Sequence, residues 1–98
     1  MYKAPVEDYQ FLFDRVIGFD QLMQHIGNDE VNAELADAVL EEAGKLASDV
    51  IAPLNHKGDM TGAKRQDDGT VVTPPGFIAA HAAMREGGWT SMEARAEF

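Results

Sequence analysis

The chain has 98 residues, of which 45% are apolar and 26% are charged, the balance of at most one small globular domain. Its 17 acidic residues outnumber the 8 basic ones, and the resulting net charge of −9 argues against nucleic acid or an anionic membrane surface as a partner. The absence of cysteine excludes disulfides, thiolate metal sites and a cysteine nucleophile.

The start of the chain and its hydropathy predict a soluble, cytoplasmic protein. Residues 1–5 lack the apolar core of a signal peptide. No apolar run approaches the roughly 20 residues that a helix needs to span a bilayer.

Two short helices are predicted before residue 30. Residues 8–17 carry apolar side chains three and four apart, and Gly18 is placed to end this helix in a left-handed conformation. Residues 19–26 predict one or two further helical turns, which Gly27-Asn28-Asp29 interrupts.

The longest periodic segment, residues 32–54, predicts an amphipathic helix that the other elements cover. At about 100° per residue, one arc of this helix is apolar and holds Leu35, Ala36, Val39, Leu40, Ala43, Leu46, Ala47, Val50, Ile51 and Leu54. Asn32 is the expected N-cap, and Glu41 and Lys45 form an expected i,i+4 pair. Pro53 lacks a backbone N–H, so the helix should stop or bend there.

A loop, a hairpin and a third main helix are predicted after the long helix. Residues 55–62 are rich in turn formers and predict a loop. Residues 64–73 predict a small hairpin or an extended loop, with a type I′ turn at Asp68-Gly69. Thr73 is the expected N-cap of the last helix, and Pro74 is its expected first residue.

Gly87-Gly88 should end the last helix, and Trp89 should fold back against the helix ends. The expected covered face of this helix holds Phe77, Ala80, His81 and Met84. The fold class predicted is therefore mainly α, a small domain of about three helices with a short β-hairpin or extended loop between the second and third.

The three histidines do not form a recognisable metal motif. His25, His56 and His81 are far apart, and none has a second histidine at ligand spacing. We expect His81 to be a semi-buried helix residue and His56 to be a loop residue paired with Asp59. A metal site assembled from the histidines by folding stays open as an alternative.

The other polar motifs predict solvated charge and turns rather than chemistry. General acid–base catalysis needs two carboxyl groups that face one pocket in different environments, whereas the acidic pairs lie on a helix or at turns: Asp29-Glu30, Glu41-Glu42 and Asp67-Asp68. The glycines at 58–62 and 87–88 do not form a phosphate-binding loop, and neither Ser48 nor Ser91 lies in a nucleophile turn. We assign no catalytic, cofactor-binding or metal-binding residue.

Several short segments nevertheless resemble a known family when they are taken in chain order. They are Tyr2-Lys-Ala-Pro5 with Phe11-Leu-Phe13 and Val16, the stretch from Glu41 to Ala52-Pro-Leu-Asn55, His56-Lys-Gly-Asp59 with Gly62, Thr73-Pro-Pro-Gly-Phe77 and Glu86-Gly-Gly-Trp89. Together they resemble the N-terminal helical domain of a branch of the bacterial acyl-CoA dehydrogenases that includes the methylthiopropionyl-CoA dehydrogenases. The resemblance covers nearly all of residues 1–98.

The resemblance implies α,β-dehydrogenation of an acyl-CoA thioester in fatty-acid-type β-oxidation. In that family a glutamate removes the α-proton, FAD accepts the β-hydride, and electron-transfer flavoprotein reoxidises the flavin. The family fold adds a middle β-domain and a C-terminal helical bundle to the N-terminal helices. The usual assembly is a homodimer or homotetramer.

The resemblance ends with Trp89-Thr90 and Glu97-Phe98, before the family's flavin contacts and catalytic glutamate. We therefore expect residues 1–98 to be a partial N-terminal domain, inactive and without FAD when alone. Such helices should expose apolar surface, so we expect self-association. The alternatives are a stand-alone acidic helical interaction module and a small metal-dependent enzyme that uses the three histidines.

Overall fold

The computed structural model describes residues 1–95 and 97. The chain divides into two compact units, Met1–Ser48 and a second unit that begins at Asp49. Both are mainly helical, and the second also contains a two-stranded antiparallel hairpin, so the predicted fold class is confirmed. Phe98, the second residue of the Glu97-Phe98 pair used in the resemblance, lies outside the described residues.

The described residues form five α-helices and one pair of strands. In chain order the elements are α1 (Val6–Phe11), α2 (Phe19–His25), α3 (Ala33–Lys45), α4 (Ala52–Thr61), β1 (Lys64–Arg65), β2 (Val71–Val72) and α5 (Phe77–Glu86). A π-helical segment, Leu12–Ile17, follows α1, and a second, Leu46–Ile51, joins α3 to α4. Helical residues thus continue without interruption over 6–17 and 33–61.

Aromatic rings hold the first two helical stretches together. Gly18 ends the first stretch in the predicted left-handed conformation, with φ 69°. This turn brings Phe19 against Phe13 in a stacked pair with ring centroids 5.4 Å apart. Tyr9 meets Phe13 edge-on at 6.5 Å, so one ring contacts both helical stretches.

Side-chain oxygens satisfy the backbone N–H groups at the start of α3. Asn32 is the predicted N-cap, and its Oδ1 accepts from the Leu35 N–H at 2.9 Å. Asp20, on α2, accepts from the Ala33 N–H at 2.7 Å. These bonds fix where α3 begins and tie α2 to its first turn.

The N-terminal segment packs on α3 at Gly44, the buried residue of that helix. A Cβ built on Gly44 would lie 2.8 Å from Val6 Cγ2 and 3.3 Å from Ala4 Cβ. Any larger residue at position 44 would therefore displace Ala4 and the first residue of α1, Val6.

The long helix does not stop at Pro53, so that part of the prediction is wrong. The π-helical segment Leu46–Ile51 ends just before α4, and Pro53 consequently lies in the first turn of α4. Proline fixes φ near the helical value, so it is compatible with this position although it donates no backbone hydrogen bond.

Residues 55–61 are helical, and the predicted loop over 55–62 is wrong. Gly58 is buried inside α4 because the Phe77 ring occupies the space beside it. A Cβ on Gly58 would lie 2.6 Å from Phe77 Cζ. The glycine is thus a packing residue, and the helix ends instead at Gly62, with φ 70°.

The hairpin forms as predicted, but its turn is not type I′. Lys64 pairs with Val72 and Arg65 with Val71. A type I′ turn needs positive φ at both central residues, and in this loop Gly69 alone has positive φ, 88°. The loop bonds are Gly69 N–H to Gln66 O at 3.0 Å and Gln66 N–H to Thr70 O at 2.7 Å. This is a three-residue loop with glycine in the left-handed position.

The last helix begins at Phe77, so the N-cap predicted at Thr73 and the first position predicted for Pro74 are wrong. The N-cap is Gly76, with φ 91°, and Leu54 Cδ2 would lie 2.7 Å from a Cβ there. The turn before α5 is thus set by a positive φ and a close contact, not by a capping side chain.

The predicted end of α5 is confirmed. The Gly88 N–H donates to Arg85 O at 3.0 Å, and Gly88 has φ 78°. Half-buried Trp89 then lies against Gly87, with Nε1 at 2.8 Å from where a Cβ would be. The indole therefore packs on the helix end, as the sequence predicted.

The helices cover their apolar faces only in part. Among the described residues, no apolar side chain is fully buried. Most of the apolar arc of residues 32–54 is half-buried, and its members Leu35 and Ile51 are exposed. Phe11, Val16 and Ile78 are 60%, 64% and 79% exposed. Both units thus present apolar side chains that this chain does not cover.

We expect Gly58→Ala to lower the free energy of unfolding by about 1 kcal/mol, because overpacking against Phe77 outweighs the gain in helix propensity. In a Phe77→Leu background the clash is removed, and the same change should instead stabilise by up to about 1 kcal/mol. Urea unfolding followed by circular dichroism measures both values. Exposed Lys57→Ala is the control, with an expected change within about 0.5 kcal/mol. Equal effects of Gly58→Ala in both backgrounds would contradict the packing of the Phe77 ring against Gly58.

Candidate functional site

The structure separates the histidines by element and leaves all three exposed. His25 ends α2, His56 is on α4 rather than in a loop, and His81 is on α5. The semi-buried position predicted for His81 is wrong, because His81 is exposed, whereas Ala80 and Met84 of the same predicted face are half-buried. Over residues 1–95 and 97, no cluster of three or more histidine or acidic side chains could hold a metal.

The acidic pairs are solvated, as predicted. Asp29-Glu30, Glu41-Glu42 and Asp67-Asp68 are all exposed. Within α3, Lys45 Nζ lies 2.7 Å from Glu42 Oε1, an exposed i,i+3 ion pair. None of these pairs faces a common pocket, so their arrangement does not provide an acid and a base in different environments.

The two serines do not lie beside a base in the described structure. Ser48 is half-buried within the π-helical segment Leu46–Ile51. The Ser91 hydroxyl donates to Gly88 O at 3.2 Å, just after α5. That hydroxyl therefore satisfies a carbonyl at the helix end, which is a structural role.

An open groove of about 300 Å³ in the first unit is mostly apolar. Its floor consists mainly of small residues on α3 and the π-helical segment that follows, and its sides come from the N-terminal segment and α1. The lining residues are Tyr2, Ala4, Pro5, Val6, Tyr9, Leu40, Ala43, Gly44 and Ala47. The groove can receive an apolar side chain, but it holds no charged group that would orient a polar substrate.

The groove residues do not fit FAD. A larger groove of about 420 Å³ in the same unit has Asp14 and Asp20 in its lining, and Arg15 there is paired with Asp14 at 3.3 Å. Carboxylates repel a pyrophosphate, and neither groove offers the glycine-rich helix start that would bind one. No step of flavin chemistry can be built from these residues.

The hairpin loop contains a titratable group, Asp68, whose pKa is shifted by its hydrogen bonds. Asp68 Oδ1 accepts two hydrogen bonds from Thr70, one from Oγ1 at 2.7 Å and one from the backbone N–H at 2.9 Å. Both bonds favour the charged carboxylate, so they lower the pKa of Asp68 below its ordinary value of 3.8 although the group is fully exposed.

The sequence reasoning missed both this interaction and the packing role of Gly44. An aspartate two residues before a threonine in a turn is the pattern that could have indicated the first. No local pattern indicates the second, because Gly44 contacts residues about forty positions away in the chain.

Within the described part of the chain, no helix combines the length and the hydropathy that crossing a membrane requires.

Comparison with known proteins identifies a relative that is far longer than this chain. No protein-family model matches. The chain is 35% identical over 96 residues to a 3-methylmercaptopropionyl-CoA dehydrogenase from Ruegeria pomeroyi. The aligned region covers 98% of this chain and 16% of that relative, so the chain spans about a sixth of the relative's length. The resemblance drawn from the sequence motifs is confirmed.

We expect Thr70→Val to raise the pKa of Asp68 toward 3.8, because it removes the hydroxyl donor. Since folding lowers this pKa, the contribution of Asp68 to hairpin stability is present above the unfolded pKa and is lost as pH falls through the folded pKa. An NMR titration of the Asp68 carboxyl carbon measures the pKa, with Thr73→Val as the control. An unchanged pKa in Thr70→Val would show that the hydroxyl bond is not made.

Proposed function

We propose, on the premise that the chain is homologous to part of an acyl-CoA dehydrogenase, that it is an N-terminal structural segment of such an enzyme. The observation that carries the proposal is the alignment, which uses almost all of this chain and a small share of a much longer enzyme. In this proposal residues 1–98 form part of the helical domain, and the middle β-domain and C-terminal bundle lie outside them.

The parent enzyme would catalyse FAD-dependent α,β-dehydrogenation of an acyl-CoA thioester in β-oxidation. It would act in the cytoplasm as a homo-oligomer, with electron-transfer flavoprotein as its electron acceptor. FAD supplies the hydride acceptor when it is bound. The residues of this chain would not contact the reacting atoms; they would support the domains that do.

The partly covered apolar faces support a structural role. Phe11 and Val16, in the first unit, and Ile78, in the second, are more than half exposed. Burial of apolar surface stabilises a protein by about 25 cal/mol per Å², and an exposed apolar side chain lacks this stabilisation. Contacts with the remaining domains would recover this free energy, whereas water cannot.

The acidic interaction module is the second candidate, because the same apolar side chains, surrounded by a net charge of −9, would also suit a separate partner. The two candidates differ in which protein would cover the exposed apolar side chains. In the first it is the rest of an acyl-CoA dehydrogenase; in the second it is another protein.

A chimera tests the first candidate directly. The segment of the Ruegeria pomeroyi relative that aligns with this chain is replaced by residues 1–98. We expect the chimera to bind flavin, seen by its visible absorption, and to oxidise 3-methylmercaptopropionyl-CoA with an artificial electron acceptor. The 98-residue chain alone should show neither signal. Flavin binding or turnover by the chain alone would contradict the structural role.

A matched pair of chimeras controls for nonspecific disruption. Val16→Lys places a charge on an exposed apolar position, and Gln24→Lys makes the same charge at an exposed polar one. We expect Val16→Lys to lower flavin content and Gln24→Lys to leave it unchanged. Equal flavin content in both would exclude the surface around Val16 as a domain contact.

The isolated chain is expected to self-associate through its exposed apolar side chains. Because the net charge of −9 opposes association, raising salt from about 0.01 to about 0.5 M should increase the mean mass measured by light scattering. Ile78→Lys should reduce association more than Gln24→Lys does. A constant monomer mass at high protein concentration and high salt would contradict this expectation.

A further inference from the structure

The loop that joins β1 and β2 contains an aspartyl-glycine sequence, Asp68-Gly69, whose backbone and side chain can react with each other. Asp68 and Gly69 are both exposed, and a Cβ built on Gly69 would lie 3.9 Å from Arg65 Nη2, an ordinary van der Waals distance. In an aspartyl-glycine sequence the backbone nitrogen after the aspartate can attack the side-chain carbonyl carbon with little steric hindrance, because glycine carries no side chain.

The reaction requires no other reactant than water. The Gly69 nitrogen forms a bond to Asp68 Cγ, and the bond from Cγ to one carboxyl oxygen breaks. That oxygen leaves as water with the amide proton and a proton of the protonated carboxyl group, giving a succinimide. Water then opens the ring at either carbonyl. Opening at the former backbone carbonyl carbon gives isoaspartate, in which the main chain passes through Cβ and Cγ.

In the folded hairpin both reacting groups are held in hydrogen bonds. The Gly69 N–H donates to Gln66 O at 3.0 Å, so the nucleophilic nitrogen keeps its proton in a turn bond. Asp68 Oδ1 accepts from Thr70 Oγ1 at 2.7 Å and from the Thr70 N–H at 2.9 Å, which keeps the carboxylate charged and therefore a poor electrophile. We propose that Asp68-Gly69 is a site of isoaspartate formation whose rate in the folded chain is limited by these bonds to Thr70 and Gln66.

The modification would disrupt the hairpin. Isoaspartate adds one main-chain carbon to a three-residue loop and moves the Gly69 nitrogen away from Gln66 O. It also converts the Cγ carboxylate that accepts from both Thr70 donors into a main-chain carbonyl, and the free carboxylate then lies on Cα. The pairing of Gln66 with Thr70, next to the pair Arg65 with Val71, would lose its geometry. This proposal does not depend on the proposed function.

Ageing of the full chain near neutral pH tests the proposal. Isoaspartate is measured by methylation with protein L-isoaspartyl methyltransferase and located by peptide mass spectrometry. We expect Thr70→Val to form isoaspartate at residue 68 about fivefold faster than the wild type, the factor expected for loss of one ordinary hydrogen bond. Thr70→Ser keeps the hydroxyl and should match the wild type, and Thr73→Val should also match it.

Ageing in urea separates hairpin protection from intrinsic reactivity. With the hairpin unfolded, wild type and Thr70→Val should react at the same rate, and both should react faster than the folded wild type. Equal rates of isoaspartate formation in folded wild type and folded Thr70→Val would overturn the proposal. So would equal acceleration in Thr70→Ser and Thr70→Val, or the absence of isoaspartate at residue 68 in urea. If Thr70→Val does not fold, the rate of isoaspartate formation in the folded wild type is compared with its rate in urea, and equal rates overturn the proposal.

Discussion

The closest packing in each unit depends on a glycine that leaves space for a neighbouring segment. In the first unit Gly44 admits Val6 and Ala4 against α3. In the second, Gly58 admits the ring of Phe77 against α4. At each site the absence of a Cβ leaves space for a neighbouring side chain, and a larger residue there would displace that side chain.

Local signals in the sequence predict the elements whose ends are set locally. Asn32 caps α3 through its own side chain, Gly18 ends the first helical stretch, and Gly87-Gly88 ends α5, each within a few residues of the signal. The predictions at Pro53 and Gly58 are wrong because the local signal does not determine whether the helix continues at these residues. A π-helical segment places Pro53 in a first turn, and the Phe77 ring explains the glycine inside α4.

The contrast between local signals and distant contacts also applies to the candidate functional residues. The spacing of His25, His56 and His81 was enough to predict that they share no ligand motif, and the structure places them on three helices. What the spacing could not predict is burial, as the exposed His81 illustrates. The family relationship came from motif order along the chain, a signal that carries no geometry. The structural role proposed above would account for this character, because its residues would be selected for packing rather than for reactivity.

The π-helical segment Leu46–Ile51 has a consequence for how related chains can vary in length. A π turn accommodates about one residue more than an α turn does, because its hydrogen bonds run from i to i+5. Deleting one residue there would leave an ordinary α-helix, whereas a deletion inside α3 or α4 would rotate the following side chains by about 100°. Single-residue gaps in alignments of this helix should therefore concentrate between residues 46 and 51.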